Sequence, residues 1–160
     1  MPISLVVNGI KQKIEVNPWE TLLDVLRERL RLTGAKIGCD TGGCGCCTVL
    51  MEEQPVYSCM VFASSLDGRE ITSIEGLAKE SQIDPLQEAF LKMGAIQCGY
   101  CTSGMIMSAK ALLLAKRSPN EDEIRKALSG NLCRCTGYQK IIEAILTAVP
   151  LHDGKNPITE

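Results

Sequence analysis

Residues 37–50 read IGCDTGGCGCCTVL, and the fold turns on what four cysteines and four glycines do in that one segment. Thiolates are the ligand form of cysteine, and several converging on one point repel each other unless a cation lies between them. The glycines permit positive φ, which turns backbone N–H groups toward an anionic centre. A disulfide framework fits poorly. The cysteine count is nine, an odd number, the pairs lie very close in sequence, and no feature points to an oxidising compartment. The segment reads as a metal loop.

Cys39, Cys44 and Cys47 follow C-x4-C-x2-C spacing, with Cys59 as a distant fourth. This is the spacing of plant-type [2Fe–2S] ferredoxins, where one loop wraps the cluster and a remote thiol closes it. Structural zinc sites more commonly present two tight knuckles. A Rieske centre needs two histidines, and His152 is the single histidine of the chain. Cys46 is the extra thiol. Neighbouring side chains on an extended stretch point to opposite sides, so Cys47 is expected to ligate and Cys46 to be a buried passenger.

Working outward, ISLVV and IKQKIEV read as strands joined by Asn8-Gly9, a dipeptide favoured in tight hairpins. ETLLDVLRERLRL places Leu22, Leu26 and Leu30 on one helical stripe, with Gly34 as the expected stop. After the metal loop come the strand CTVLM, a turn through Gln54-Pro55, the strand VYSCM and the short run REITS. Hairpin, helix, metal loop and further strands form the order of a β-grasp ferredoxin-like domain. The 160 residues carry a net charge of −2, so no basic nucleic-acid footprint exists. No apolar run has the length of a membrane span and MPISLVVNGI does not read as an export signal, so a soluble cytoplasmic protein is expected.

Beyond about residue 75 the pattern becomes helical. DPLQEAFLKMG has Pro85 at a first helical position and Gly94 as its stop, and GMIMSAKALLLAK is apolar around most of its circumference. NEDEIRKALSG starts at Asn120 with Glu123 three residues on, and YQKIIEAILTAV runs to Pro150. Four such helices predict an antiparallel bundle. Cys98, Cys101, Cys133 and Cys135 fall in loops before two of them. Spacing alone leaves zinc open for this set. Helix N-termini favour bound negative charge, which tilts the balance toward iron–sulfur.

The motifs GCDTGGCGCCTVL, QCGYCTSGMIM and GNLCRCTGY, in this order, resemble the small iron–sulfur subunit of the molybdenum hydroxylases, the xanthine oxidase and aldehyde oxidoreductase family. The resemblance spans residue 3 to about 148. It implies an α+β chain with a β-grasp [2Fe–2S] domain, placed over residues 1–75, and a four-helix bundle [2Fe–2S] domain over 76–150; the residues 151–160 that follow read as a polar tail. It further implies that the bundle cluster lies near a molybdopterin cofactor and the other cluster nearer FAD. Both cofactors would sit on partner chains, a molybdopterin-binding large subunit and an FAD-binding medium subunit, with a dimer of heterotrimers as one assembly. By the same resemblance Gln97 and Cys135 approach the pterin, and Cys135 also ligates iron. Three positions depart from the pattern, which commonly has Glu at Gly43, Ala at Cys46 and Pro at Ser103; Thr102 and Ser103 can still cap a helix start.

The implied role is electron transfer, with substrate oxidised at molybdenum elsewhere and no catalytic residue on this chain. Two other readings are weighed against it. A free-standing ferredoxin shuttle has no need of a second, helical cysteine domain. A zinc-stabilised interaction module would carry zinc in place of iron and sulfide. No residue here would touch the substrate, so its identity is not encoded.

Overall fold

The computed structural model describes residues 1–79 and 82–152. Most of the expected tail, residues 153–160, lies outside the described residues. Strands β1 (Pro2–Val7) and β2 (Ile10–Glu15) form the expected hairpin, with Asn8 and Gly9 at φ 52° and 79°. With β3 (Thr48–Met51), β4 (Gln54–Tyr57) and β5 (Glu70–Thr72) they make a five-stranded sheet of order β2-β1-β5-β3-β4. β1 and β5 run parallel and the other neighbours antiparallel.

Several local expectations shift. The β3–β4 turn is made by Glu52 and Glu53, both at positive φ, and Gln54-Pro55 belongs to the strand. Proline is tolerated there because β4 is an edge strand. The strand expected over VYSCM stops at Tyr57, and Ser58–Met60 is a 3-10 turn. Helix α1 (Leu22–Asp24), capped by Thr21, widens into a π turn over Val25–Arg29 and ends at Leu30, short of Gly34. The guanidinium of Arg27 then holds the carbonyls of Thr33 and Ala35 at 3.0 and 2.8 Å, steering the chain into the cysteine loop.

The second half contains α2 (Pro85–Lys92), α3 (Thr102–Ala115), α4 (Glu121–Ala127) and α5 (Gln139–His152). Asp84 caps α2 with Pro85 at its first position, and Asn120 with Glu123 forms the expected capping box on α4. α5 continues past Pro150 by two residues. α3, polar nowhere around most of its girdle, is the central helix, with Met105, Ile106, Met107, Ala109 and Leu113 buried.

Two cores result. Leu5, Leu22, Leu26, Val49 and Ile71 pack under the sheet, while Phe90, Met105, Ile124, Ile141 and Ile145 pack among the helices. Burying each such side chain contributes about 1.5–3 kcal/mol. β3 belongs to both. Its alternation sends Val49 into the sheet core and Leu50 into the helical core, and α3 packs against it.

Candidate metal centres

The loop from Ile37 to Cys47 carries the first cysteine set, and the 3-10 turn after β4 brings in Cys59. The Ser58 hydroxyl and backbone N–H donate to the Cys47 carbonyl at 2.7 and 3.3 Å, which locks that turn beside the loop. The Cys47 and Cys59 sulfurs lie 3.4 Å apart. Cys44 lies beside both Cys39 and Cys46, and Cys59 is within electrostatic reach of Cys39. The four thiols expected from spacing are therefore together, with Cys46 as a fifth thiol beside Cys44.

Backbone N–H groups surround these sulfurs. Those of Thr41 and Gly43 point at Cys39 Sγ from 3.5 and 3.3 Å. Hydrogen bonds from the Thr41 backbone and side chain, then from Cys44, draw the Cys39 thiol down to about 6. Burial pushes Cys59 up to about 12, reinforced by its thiol neighbour Cys47. Gly42, at φ 74°, supplies a backbone hydrogen bond to Cys59, a conformation that a side chain would resist. The loop thus offers both thiolate character and donors for an anionic group.

The second set straddles two helix starts. Cys101 occupies the N-cap position of α3, and Cys133 and Cys135 lie in the bend before α5. Again the thiols pair, Cys101 with Cys133 and Cys98 with Cys135, the latter also feeling Cys133. Burial raises Cys101 to about 12. Burial opposes ionisation of Cys133 too, yet hydrogen bonds from the Thr136 hydroxyl (3.0 Å) and backbone N–H (3.4 Å) leave its thiol below the ordinary range. The Cys98 thiol raises Cys135. Cys98 and Cys135 are exposed, as is Gln97 beside them.

Four thiols in each set suit a binuclear cluster, in which each iron would take two. Both sets fit a [2Fe–2S] group in the number and softness of their donors and in the N–H groups aimed at sulfur.

Cys46 is buried, as expected, at 6% exposed. It fills the space between the two sets, beside Cys44 and within electrostatic reach of Cys101, and burial pushes its thiol up to about 12. Ser103 does not cap α3; its hydroxyl donates to the Gly34 carbonyl at 2.6 Å and ties the helix start to the approach of the first loop. Tyr100 reaches the Ile37 carbonyl from the same side. Asn131 and Tyr57, which sequence reasoning passed over, also join the two sets. The only signal for Asn131 was its place in GNLCRC, because its bonding partner Gly45 lies 86 residues away.

Comparison with known proteins follows this division. Residues 5–78 match the family described as 2Fe-2S iron-sulfur cluster binding domain, and residues 73–146 the [2Fe-2S] binding domain. The nicotine 6-hydroxylase small subunit of Paenarthrobacter nicotinovorans is 49% identical, across 96% of this chain and 93% of that one. This chain is a small iron–sulfur subunit of the molybdenum hydroxylase family. The nicotinate dehydrogenase small FeS subunit of Eubacterium barkeri is 48% identical over 92% of this chain and 94% of its own length. The structure of quinoline 2-oxidoreductase from Pseudomonas putida 86 superposes with a TM-score of 0.91 at 42% identity, covering 98% of both chains. As in this family generally, the chain is an electron-transfer component of a multi-subunit oxidoreductase and holds no substrate site. No helix among the described residues is long and apolar enough to cross a membrane.

Proposed function

We propose that Cys39, Cys44, Cys47 and Cys59 hold one [2Fe–2S] cluster and Cys98, Cys101, Cys133 and Cys135 a second. A bound cluster of this kind carries one electron at a time. The chain's own task is to present pairs of thiolates, aim N–H groups at their sulfurs and keep water from the inner members of each set. The reading assigns the first set to a β-grasp domain over residues 1–75 and the second to a four-helix bundle over 76–150, supported by the separate cores on either side of β3.

Electrons enter at the exposed edge formed by Gln97, Cys98 and Cys135, against a molybdopterin-binding large subunit, and leave from the first set toward FAD on a medium subunit. Gln97 and Cys135 are the residues assigned to the pterin, Gln97 through its amide and Cys135 through its ligated sulfur. Two such heterotrimers would pair in the complete enzyme. A cytoplasmic location agrees with nine free cysteines, which a reducing compartment preserves.

The observation that carries this reading is the gathering of these eight thiols into two separate sets. The assembled complex is expected to contain about four irons and four acid-labile sulfides per copy of this chain, in two clusters distinguishable by electron paramagnetic resonance. A reproducible count near two irons, or zinc in the second set, overturns it.

A further inference from the structure

The two cysteine sets are joined by hydrogen bonds that run directly between their loops. The backbone N–H of Leu132, next to Cys133, donates to the carbonyl of Cys44 at 2.9 Å. One residue to either side, the buried Asn131 amide donates to the Gly45 carbonyl at 3.0 Å and to Thr48 Oγ1 at 3.4 Å. Its Oδ1 accepts from Ser108 on α3 at 2.7 Å, so one side chain spans the first loop, β3 and the central helix. A Cβ on Gly45 would collide with Gly130 and Asn131, and one on Gly104 would collide with the Gly45 carbonyl. Backbone therefore meets backbone at this junction.

We infer that Asn131 is a positioning residue for electron transfer between the two cysteine sets, holding them at a fixed short separation. The inference rests on the two-cluster reading above. Each transfer moves one electron: one centre is oxidised, the other reduced, and no bond or proton changes place. Its rate falls exponentially with the gap, so a rigid bond across the junction matters more than its contribution to folding. The Asn131 amide is suited to this because it satisfies three partners from one buried point, and a loop free to breathe would vary the gap. Cys46, in the same loop, is buried as well.

The test uses the assembled complex with Asn131→Asp, which removes the donor to Gly45 and Thr48 but keeps the side chain's size. Ser108→Ala, which removes only the helix-side bond, is the milder second variant. The spin–spin splitting between the two reduced clusters and the rapid-mixing rate of transfer between them are measured, with iron counted separately. The expected result is full iron and unchanged individual cluster signals, with weakened splitting and slower transfer in Asn131→Asp and a smaller change of the same sign in Ser108→Ala. Full iron with splitting and rate unchanged in both variants overturns the inference. Iron loss in both overturns it too, since Asn131 would then act on a cluster and not on the gap. Failure of the two-cluster reading itself would appear differently, as a single cluster in the unsubstituted complex. Should Asn131→Asp not assemble, Ser108→Ala decides alone.

Discussion

In the first cysteine set Cys47 is buried and Cys39, Cys44 and Cys59 are half-buried, whereas the second leaves Cys98 and Cys135 exposed with only Cys101 and Cys133 half-buried. The difference follows from how each set is wrapped. The first has a long glycine-rich loop, closed by the 3-10 turn at Cys59, so the chain supplies its own cover. The second is borne on short bends at the starts of α3 and α5, with too little backbone to surround four sulfurs. One set is shielded from within. The other has an open edge.

The largest effect that separates the sets comes from removing a ligand. Cys47→Ala should lose the first cluster, roughly half of the iron, while the second persists. Cys46→Ala should keep all the iron and cost on the order of 1 kcal/mol for the cavity left between the sets. Iron analysis and the two cluster spectra check both variants. Equal iron loss would mean that the wrong neighbour is assigned.

Next comes accessibility. In the isolated chain a chelator should strip the second set before the first, and the assembled complex should narrow that gap by covering Cys98 and Cys135. The order is followed by the decay of the two resonance signals. Simultaneous loss in both preparations would remove the distinction between a self-shielded and a partner-shielded set.

Two glycines of one loop sharpen the comparison further. Gly45 sits at φ 71° against Gly130 and Asn131, so Gly45→Ala should cost about 1–2 kcal/mol for its backbone conformation alone, with the collision added. At Gly43 a Cβ meets only Thr41 Oγ1, at 3.8 Å, and Gly43→Ala should be close to neutral. Urea midpoints of the two variants give the ordering. Between these two falls Tyr57→Phe, which removes the hydroxyl donated to the Gly130 carbonyl at 3.0 Å; the loss should be about 1 kcal/mol, with iron content unchanged, and Gly43→Ala remains the smallest effect of the series.

The cysteine spacings, the Asn8-Gly9 turn, Pro85 at the start of α2 and the cap at Asn120 could be read directly, because each is a local constraint satisfied within a few residues. Edges of elements were less legible. Leu30 continues the hydrophobic stripe of α1, yet the π turn and Arg31 at φ 58° end the helix early, since Arg27 must reach back to the loop carbonyls. Ser103 looked like a cap because serine at a helix start ordinarily is one, but a carbonyl from residue 34 competes successfully for its hydroxyl.

What the sequence by itself determined is the grouping of the thiols: which cysteines fall in which set, and which loop is built of glycine around them. Those choices are set by chemistry and chain reach within each half. Only the tertiary structure decided how the halves meet. The bonds from Leu132 to Cys44, Asn131 to Gly45 and Tyr57 to Gly130 join residues more than seventy positions apart. Periodicity and spacing carry no information about such contacts, which depend on β3 turning one side chain into each core and on glycines that let two backbones touch.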